Sequence, residues 1–337
     1  MQQRASVLVR ELLHVRPEQG AHRVALRAGI SVLVPLLTVL LLGQPGWSMY
    51  AVFGAFTSLY GRNHVHLSRA VMQLSAGTAL TACVVLGALV GSLDARAWLT
   101  VAVGAAVAAL GTVLSSVEDW HPPGPLFLVF GFGAVASVPH DLRDVAIAAV
   151  VAASSALFSL VVGNIGGFVR RQRTSPKRLA PAWTWQPARM AVAVLVAGGI
   201  ATAVGIGHPY WAMVAAVAPL TARGITGQLV RAGHRVLGTL LGLLTSAPLL
   251  LLGMGAVTTV LVVGLLQIVT ELLVGRNYGL ALLFITPMAL LMGQVAAPRP
   301  IGVLLFDRGV ETVIGAAVAV AIVVLSERLR HRKHDGR

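Results

Sequence analysis

Two short stretches carry residue types that could do chemistry inside an otherwise apolar chain. One is FDRGVET, from Phe306 to Thr312. Asp307 and Glu311 stand four apart, so they share a helical face, with Arg308 beside them. Ionisable residues in an apolar helix are expensive and mark proton or ion pathways, which makes Asp307 and Glu311 candidates for proton coupling. Acids at a helix start can also do no more than complement the dipole. The other is LVRAGHRVLGTLLGLL, from Leu229 to Leu244. Here Arg231, His234 and Arg235 precede Gly238, Thr239 and Gly242. A helix N-terminus favours anions, and a guanidinium fork matches a carboxylate. The glycines and threonines permit close helix approach. Arg69 opens a similar stretch, LSRAVMQLSAGTALTACV. The competing reading makes each of these arginines a helix-entrance charge that snorkels to lipid headgroups.

Aromatic residues add a second chemistry. Trp47, Tyr50 and Trp211 begin two short apolar segments that Thr57 and Thr221 close. They could stack on an aromatic substrate or form an interfacial belt. Other reactive combinations are thin. Asn63-His64-Val65-His66 and Glu118-Asp119-Trp120-His121 lack the spacing of a metal site. No G-x-x-x-x-G-K-[ST] loop is present for ATP. Cys83 is the single cysteine and lies in an apolar run. The expectation is a protein that is not an enzyme and uses no metal or cofactor. Glu271 is expected to pair with Arg276.

The elements that must hold these residues are membrane helices. The 337 residues are 56% hydrophobic and 11% charged, with mean hydropathy +0.81. Soluble domains carry about 25% charge. The apolar segments fall at 27–43, 48–61, 67–92, 97–117, 124–138 and 142–168, then at 189–206, 210–222, 229–252, 254–274, 279–296 and 308–326. Twelve spans with a cytoplasmic N-terminus place all but Arg96, Arg143, Arg299 and Arg308 of the 26 Lys and Arg inside, as the positive-inside rule requires. The same rule explains the net charge of +14, and no basic soluble domain exists to bind nucleic acid. Both termini are expected in the cytoplasm of a multi-pass cell-membrane protein. Val7, Leu8, Leu12 and Leu13 suggest an interfacial helix in the N-terminal arm.

The halves repeat. RAGISVLVPLL at Arg27 aligns with RMAVAVLVAGG at Arg189, and Gly43 with Gly205, both 162 positions on. GWSMYAVFGAFT aligns with YWAMVAAVAPLT, LSRA with LVRA, and Gly77-Thr78 with Gly238-Thr239. Gln73 or Leu74 then stands where the second copy has Arg235. Six spans per copy give a parallel repeat about an axis along the membrane normal. The domains are therefore an arm (1–26), a first repeat (27–168), a basic linker (169–188), a second repeat (189–326) and a basic tail (327–337). The second and fifth spans of each half look short or broken, at Gly54, Pro219, the FGFG at Phe130 and Thr286-Pro287. Such breaks at matching positions point to a midplane site.

Three pieces of the second half, RVLGTLLGLL, RNYGLALLFITPMALL and DRGVETVIGAAVAV, resemble the fusaric acid resistance family of integral membrane proteins, the aromatic acid exporters. The resemblance implies efflux of aromatic carboxylates driven by the proton gradient. It carries over onto Arg235, Gly238, Thr239, Asn277, Tyr278, Thr286, Pro287, Asp307, Arg308 and Glu311. The large cytoplasmic domain of many relatives is missing. The expected protein is an all-α secondary transporter in a lipid bilayer, exporting a small organic anion. Its expected substrate site comprises Trp47, Tyr50, Thr57, Arg69, Trp211, Thr221, Arg231, Arg235, Asn277, Tyr278 and Thr286. A passive organic-anion channel and a non-transport scaffold are the alternatives, and a homo-oligomer is compatible with each.

Overall fold

The computed structural model describes residues 10–12, 14–15, 17, 20–62, 66–165 and 184–335. The basic linker, Trp183 and the H-x-H pair at His64 fall wholly or mostly outside them, as does most of the expected arm helix. Among the described residues there is no strand. Twelve helices account for the bundle: α1 (Ala21–Leu41), α2 (Ser48–Ala55, continued by a 3-10 turn at Phe56–Leu59), α3 (His66–Gly91), α4 (Arg96–Val117), α5 (Leu126–Ala136), α6 (Leu142–Asn164), α7 (Gln186–Ala203), α8 (Tyr210–Leu220), α9 (Gly224–Leu251), α10 (Ala256–Leu273), α11 (Tyr278–Ala296) and α12 (Ile301–Asp335).

Each expected apolar segment corresponds to a helix, and the expectation of twelve spans is met in part. Nine helices, among the described residues, are long and apolar enough to cross a membrane. The other three, α2, α5 and α8, are too short. Eleven residues of helix rise about 16 Å against a hydrocarbon core of about 30 Å. These three are also the most deeply packed elements. Every residue of α8 is buried, as are all of α2 except Met49. At the end of α2 and ahead of α5, loop residues turn into the bundle. Tyr60 and Trp120 are both buried, with rings 5.3 Å apart, and the Trp120 indole donates to Ser75 Oγ at 2.9 Å. The long helices, by contrast, expose Leu and Val along one side, as lipid-facing helices do.

The fifth segment of the second half needs correction. α11 runs unbroken for 19 residues through Thr286-Pro287. Proline is tolerated in such a helix where neighbours cover the freed carbonyl, and both residues are buried. The last helix also starts earlier than expected, at Ile301 directly after Pro300. Its charges mislead as boundaries, because IGVLLF is already helical. Glu311 thus lies about three turns in, not at the helix mouth.

Two chain reversals follow from sequence. α1 and α7 both stop at a glycine in the left-handed region, Gly43 (φ 70°) and Gly205 (φ 78°), the usual helix terminator. Close packing follows from Gly54 and Gly315. A Cβ on Gly54 would strike the Ala152 carbonyl, and one on Gly315 the Ala212 carbonyl. These contacts join α2 to α6 and α8 to α12. Between the halves, α1 packs on α10 and α4 on α7, while α5 meets α8 and α2 meets α11.

Candidate functional site

α8 stands at the centre of the second half, and its buried Trp211 is the pivot of the site. The Arg308 guanidinium of α12 lies flat on the indole, 3.6 Å from the ring centroid. Arg308 is 1% exposed, and none of its three side-chain nitrogens has a hydrogen-bond partner. One turn on, Glu311 is wholly buried. The His208 backbone N–H faces its carboxyl, but neither oxygen makes a hydrogen bond of full geometry. Thr312 is occupied locally, donating to the Arg308 carbonyl at 2.8 Å.

α9 and α11 bring a second arginine. Arg235 is 3% exposed and donates through Nη1 to the Tyr278 hydroxyl at 3.0 Å, while its Nε and Nη2 have no partner. Arg231 covers the other part of the same residue, 4.5 Å above the Tyr278 ring. Arg235 lies within electrostatic reach of Arg308. The α9–α11 seam closes on glycine: Gly238 sits against the Gly279 carbonyl, and Gly242 against Thr286. Thr239 and Thr286 are buried there with unpartnered hydroxyls.

Magnitudes decide what this arrangement can do. Taking a guanidinium out of water costs several kcal/mol even after relaxation. A desolvated cation–π contact returns about 2 kcal/mol. Arg308 therefore needs an anionic partner that the indole does not supply. Around it, four cations (Arg231, Arg235, Arg299, Arg308) face two acids (Asp307, Glu311), so the region carries surplus positive charge. Asp307 is engaged with Arg299 at 3.9 Å. Arg299 is itself held by Gln294, which accepts from its backbone N–H at 2.6 Å and donates to its carbonyl at 2.8 Å. Glu311 is the remaining counter-charge.

The other side of Trp211 is apolar. The ring lines a small cavity of about 50 Å³ with Phe53, Phe56, Phe130, Tyr210 and Met288. Residues of both halves meet there, and Phe130 lies 4.8 Å from Trp211. A site for a whole small molecule takes at least about 300 Å³, so the cavity must widen before a substrate ring can sit in it.

Of the expected site residues, Trp211, Arg231, Arg235, Tyr278, Asp307 and Glu311 come together, with Thr286 further along the seam. The others lie elsewhere. Trp47 packs half-buried at the head of α2. The Tyr50 hydroxyl meets His140 Nδ1 at 3.0 Å, and His140 Nε2 meets the Val135 carbonyl at 2.9 Å. Burial lowers the His140 pKa, the Val135 bond and Asp144 opposing it. In the neutral tautomer that donates to Val135, Nδ1 accepts from Tyr50. Thr57 is buried against Gly77. Arg69 donates to the carbonyls of Gly61 and Gly163 at 3.2 and 3.0 Å. Thr221 caps its own helix through the Ala218 carbonyl at 2.8 Å. Asn277 accepts from the Leu280 N–H and donates to the carbonyls of Leu12 and His14, so it anchors the N-terminal arm. Where a pair with Arg276 was expected, Glu271 pairs with Arg62 of the loop after α2 at 3.1 Å. Among the described residues, no group of three or more His, Cys, Asp or Glu could hold a metal ion.

Arg308 was legible as part of the motif but not as a ligand, because its neighbours suggested a helix start. His208 and Tyr210 gave no signal beyond their place before Trp211.

These features define a multi-pass α-helical membrane protein with a buried, positively charged site. Residues 193–322, which contain every member of the arginine cluster, match the model of the family described as Fusaric acid resistance protein-like. The chain is also similar to the uncharacterized membrane protein YvaC of Bacillus subtilis (strain 168), 30% identical over 103 residues, which cover 31% of this chain and only 16% of YvaC. No solved structure matches.

Proposed function

We propose that this protein is a secondary transporter that exports small organic anions, aromatic carboxylates above all, with coupling to protons at Glu311. The observation that carries the reading is Arg308, buried on Trp211 with three unpartnered nitrogens. A carboxylate satisfies such a fork, and an aromatic ring suits the apolar cavity behind the indole. Arg235 and Tyr278 supply a second set of donors, while Arg231 adds charge from the Tyr278 face. The family whose model matches is described by resistance to an organic acid, fusaric acid, which is consistent with this class.

Glu311 makes the site sensitive to protons. Ionised, it is the counter-charge of Arg308 and competes with the substrate carboxylate. Protonated, it frees the guanidinium. Linkage then requires that anion binding favour proton uptake at Glu311, and the reverse. A proton carried with a monoanion makes the transported unit neutral, so the membrane potential adds no drive and the combined gradient of anion and proton sets the direction of transport.

We place both termini in the cytoplasm of a cell-membrane protein, from the distribution of Lys and Arg. We also propose that the halves are a duplicated six-helix unit whose short helices complete twelve passes through their buried loops. The pairings of α2 with α6 and α8 with α12, of α3 with α5 and α9 with α11, and of α1 with α10 and α7 with α4, support it. Alternating access would then be a rocking of one unit against the other around the shared cavity.

The test is flux of 4-hydroxybenzoate in proteoliposomes with an imposed pH difference and protein-free vesicles as background. Uphill flux driven by acid on the anion's side supports a carrier. Flux that only follows the anion gradient would make the protein a channel. No flux of any aromatic or dicarboxylic acid, with a stable partner on purification, would make it a scaffold.

A further inference from the structure

We propose that His208 is the port through which Glu311 exchanges its proton with the outer solution, an inference that rests on the transport reading above. His208 sits in the loop between α7 and α8, immediately before Pro209, at the end of the bundle where Gly207 meets Arg299. Its own backbone N–H faces the Glu311 carboxyl. Its imidazole is half-buried and lies edge-on to Tyr210 at 5.4 Å, with Nδ1 buried and unpartnered. Glu311 is completely buried beneath it, so its proton must cross this layer to reach water.

The groups that face His208 leave few other carriers. Arg299, on the α11–α12 loop, and Arg308, on α12, are guanidinium groups that only donate and offer no lone pair to accept a proton. Asp307 is paired with Arg299. Tyr210, on α8, is a phenol, a weaker acid than an imidazolium. The remaining histidine at this end, His140, has partners on both ring nitrogens, whereas His208 Nδ1 has none. Imidazole is also the side chain suited to relay protons near neutral pH. Burial, with Arg299 adding to it, pushes His208 down to about 4. It is therefore neutral at physiological pH and passes a proton on rather than holding it.

The step balances simply. In the tautomer that carries its hydrogen on the buried Nδ1, a proton from outer water binds His208 Nε2. The imidazolium then releases an N–H proton to a Glu311 carboxylate oxygen, after a side-chain rotation or through one water. The N–H bond breaks, the O–H bond forms, and the imidazole returns to neutral. Release to the outside reverses the sequence.

The experiment uses right-side-out membrane vesicles containing the full chain, with 4-hydroxybenzoate as the probe and inner and outer pH set independently. Wild type should respond to outer pH with a slope approaching about one decade of flux per pH unit, the limit for one proton. In H208Q the outer response should fall below about twofold per unit, while the response to inner pH persists. E311Q should lose both responses, which separates the port from the proton site. H208N, read in the same way and normalised to folded protein, replaces H208Q if that variant does not reach the membrane. An outer-pH slope in the His208 variants equal to wild type overturns the proposal. Absence of flux in wild type would instead sink the transport reading beneath it.

Discussion

The same region of the bundle is built in two ways. In the first half, Gln73 of α3 is buried and donates to the Tyr60 carbonyl at 3.2 Å, and the Asn164 amide of α6 donates to it at 3.0 Å. Two acids of that half, Asp141 and Asp144, form a capping box at the head of α6, with the Asp141 N–H donating to Asp144 Oδ2 at 2.9 Å. In the second half, α9 carries Arg235, and the acids lie inside α12, up to three turns from its start. The first arrangement is neutral amides bonded to one another and to the backbone, with Asn164 Oδ1 left without a partner, and carboxylates at a surface cap. The second is buried charge with unpartnered atoms. A neutral network costs little to bury once it is bonded, whereas an unpaired charge costs several kcal/mol. On the proposed transport reading, the difference separates a packing half from a binding half and makes the substrate site single rather than duplicated.

Substitutions can break that contrast. The largest effect should come from Arg308→Met, which keeps the stem on Trp211 and removes the charge. Anion flux should fall by about 100-fold or more, the scale of roughly 3 kcal/mol for a buried charge pair. Next, Arg235→Ala should lower flux by about tenfold, as expected for loss of a charge-assisted bond of about 1.5 kcal/mol. Arg328→Ala in the tail should leave it unchanged, and equal effects would reduce Arg235 to a topology charge. Gln73→Leu tests the other side: a loss of about 1–3 kcal/mol in thermal or denaturant stability, with transport per folded molecule retained. The smallest effect belongs to Asp141→Ala, which removes a helix cap worth about 1 kcal/mol and should be silent in flux assays.

Much of this was readable in the chain, for physical reasons. Apolar runs longer than a bilayer's half-thickness located every helix, and the i, i+4 spacing put Asp307 and Glu311 on one face. What could not be read was depth. Charge looks like a boundary in sequence, so FDRGVET passed for the mouth of the last helix when IGVLLF had already begun it. Thr286-Pro287 looked like a break, but a proline surrounded by other helices does not end one. The choice between Gln73 and Leu74 as counterpart of Arg235 needed burial: Gln73 is wholly enclosed and Leu74 is 61% exposed. The stacking of Arg308 on Trp211 joins residues 97 positions apart, and no local spacing encodes it.

The most direct measurement is equilibrium binding of 4-hydroxybenzoate to the purified, folded protein, comparing wild type with Arg308→Met and Gln73→Leu. Saturable binding that disappears in the first variant and survives in the second is the predicted result. Equal binding by wild type and Arg308→Met would contradict a substrate site built on the arginines of the second half.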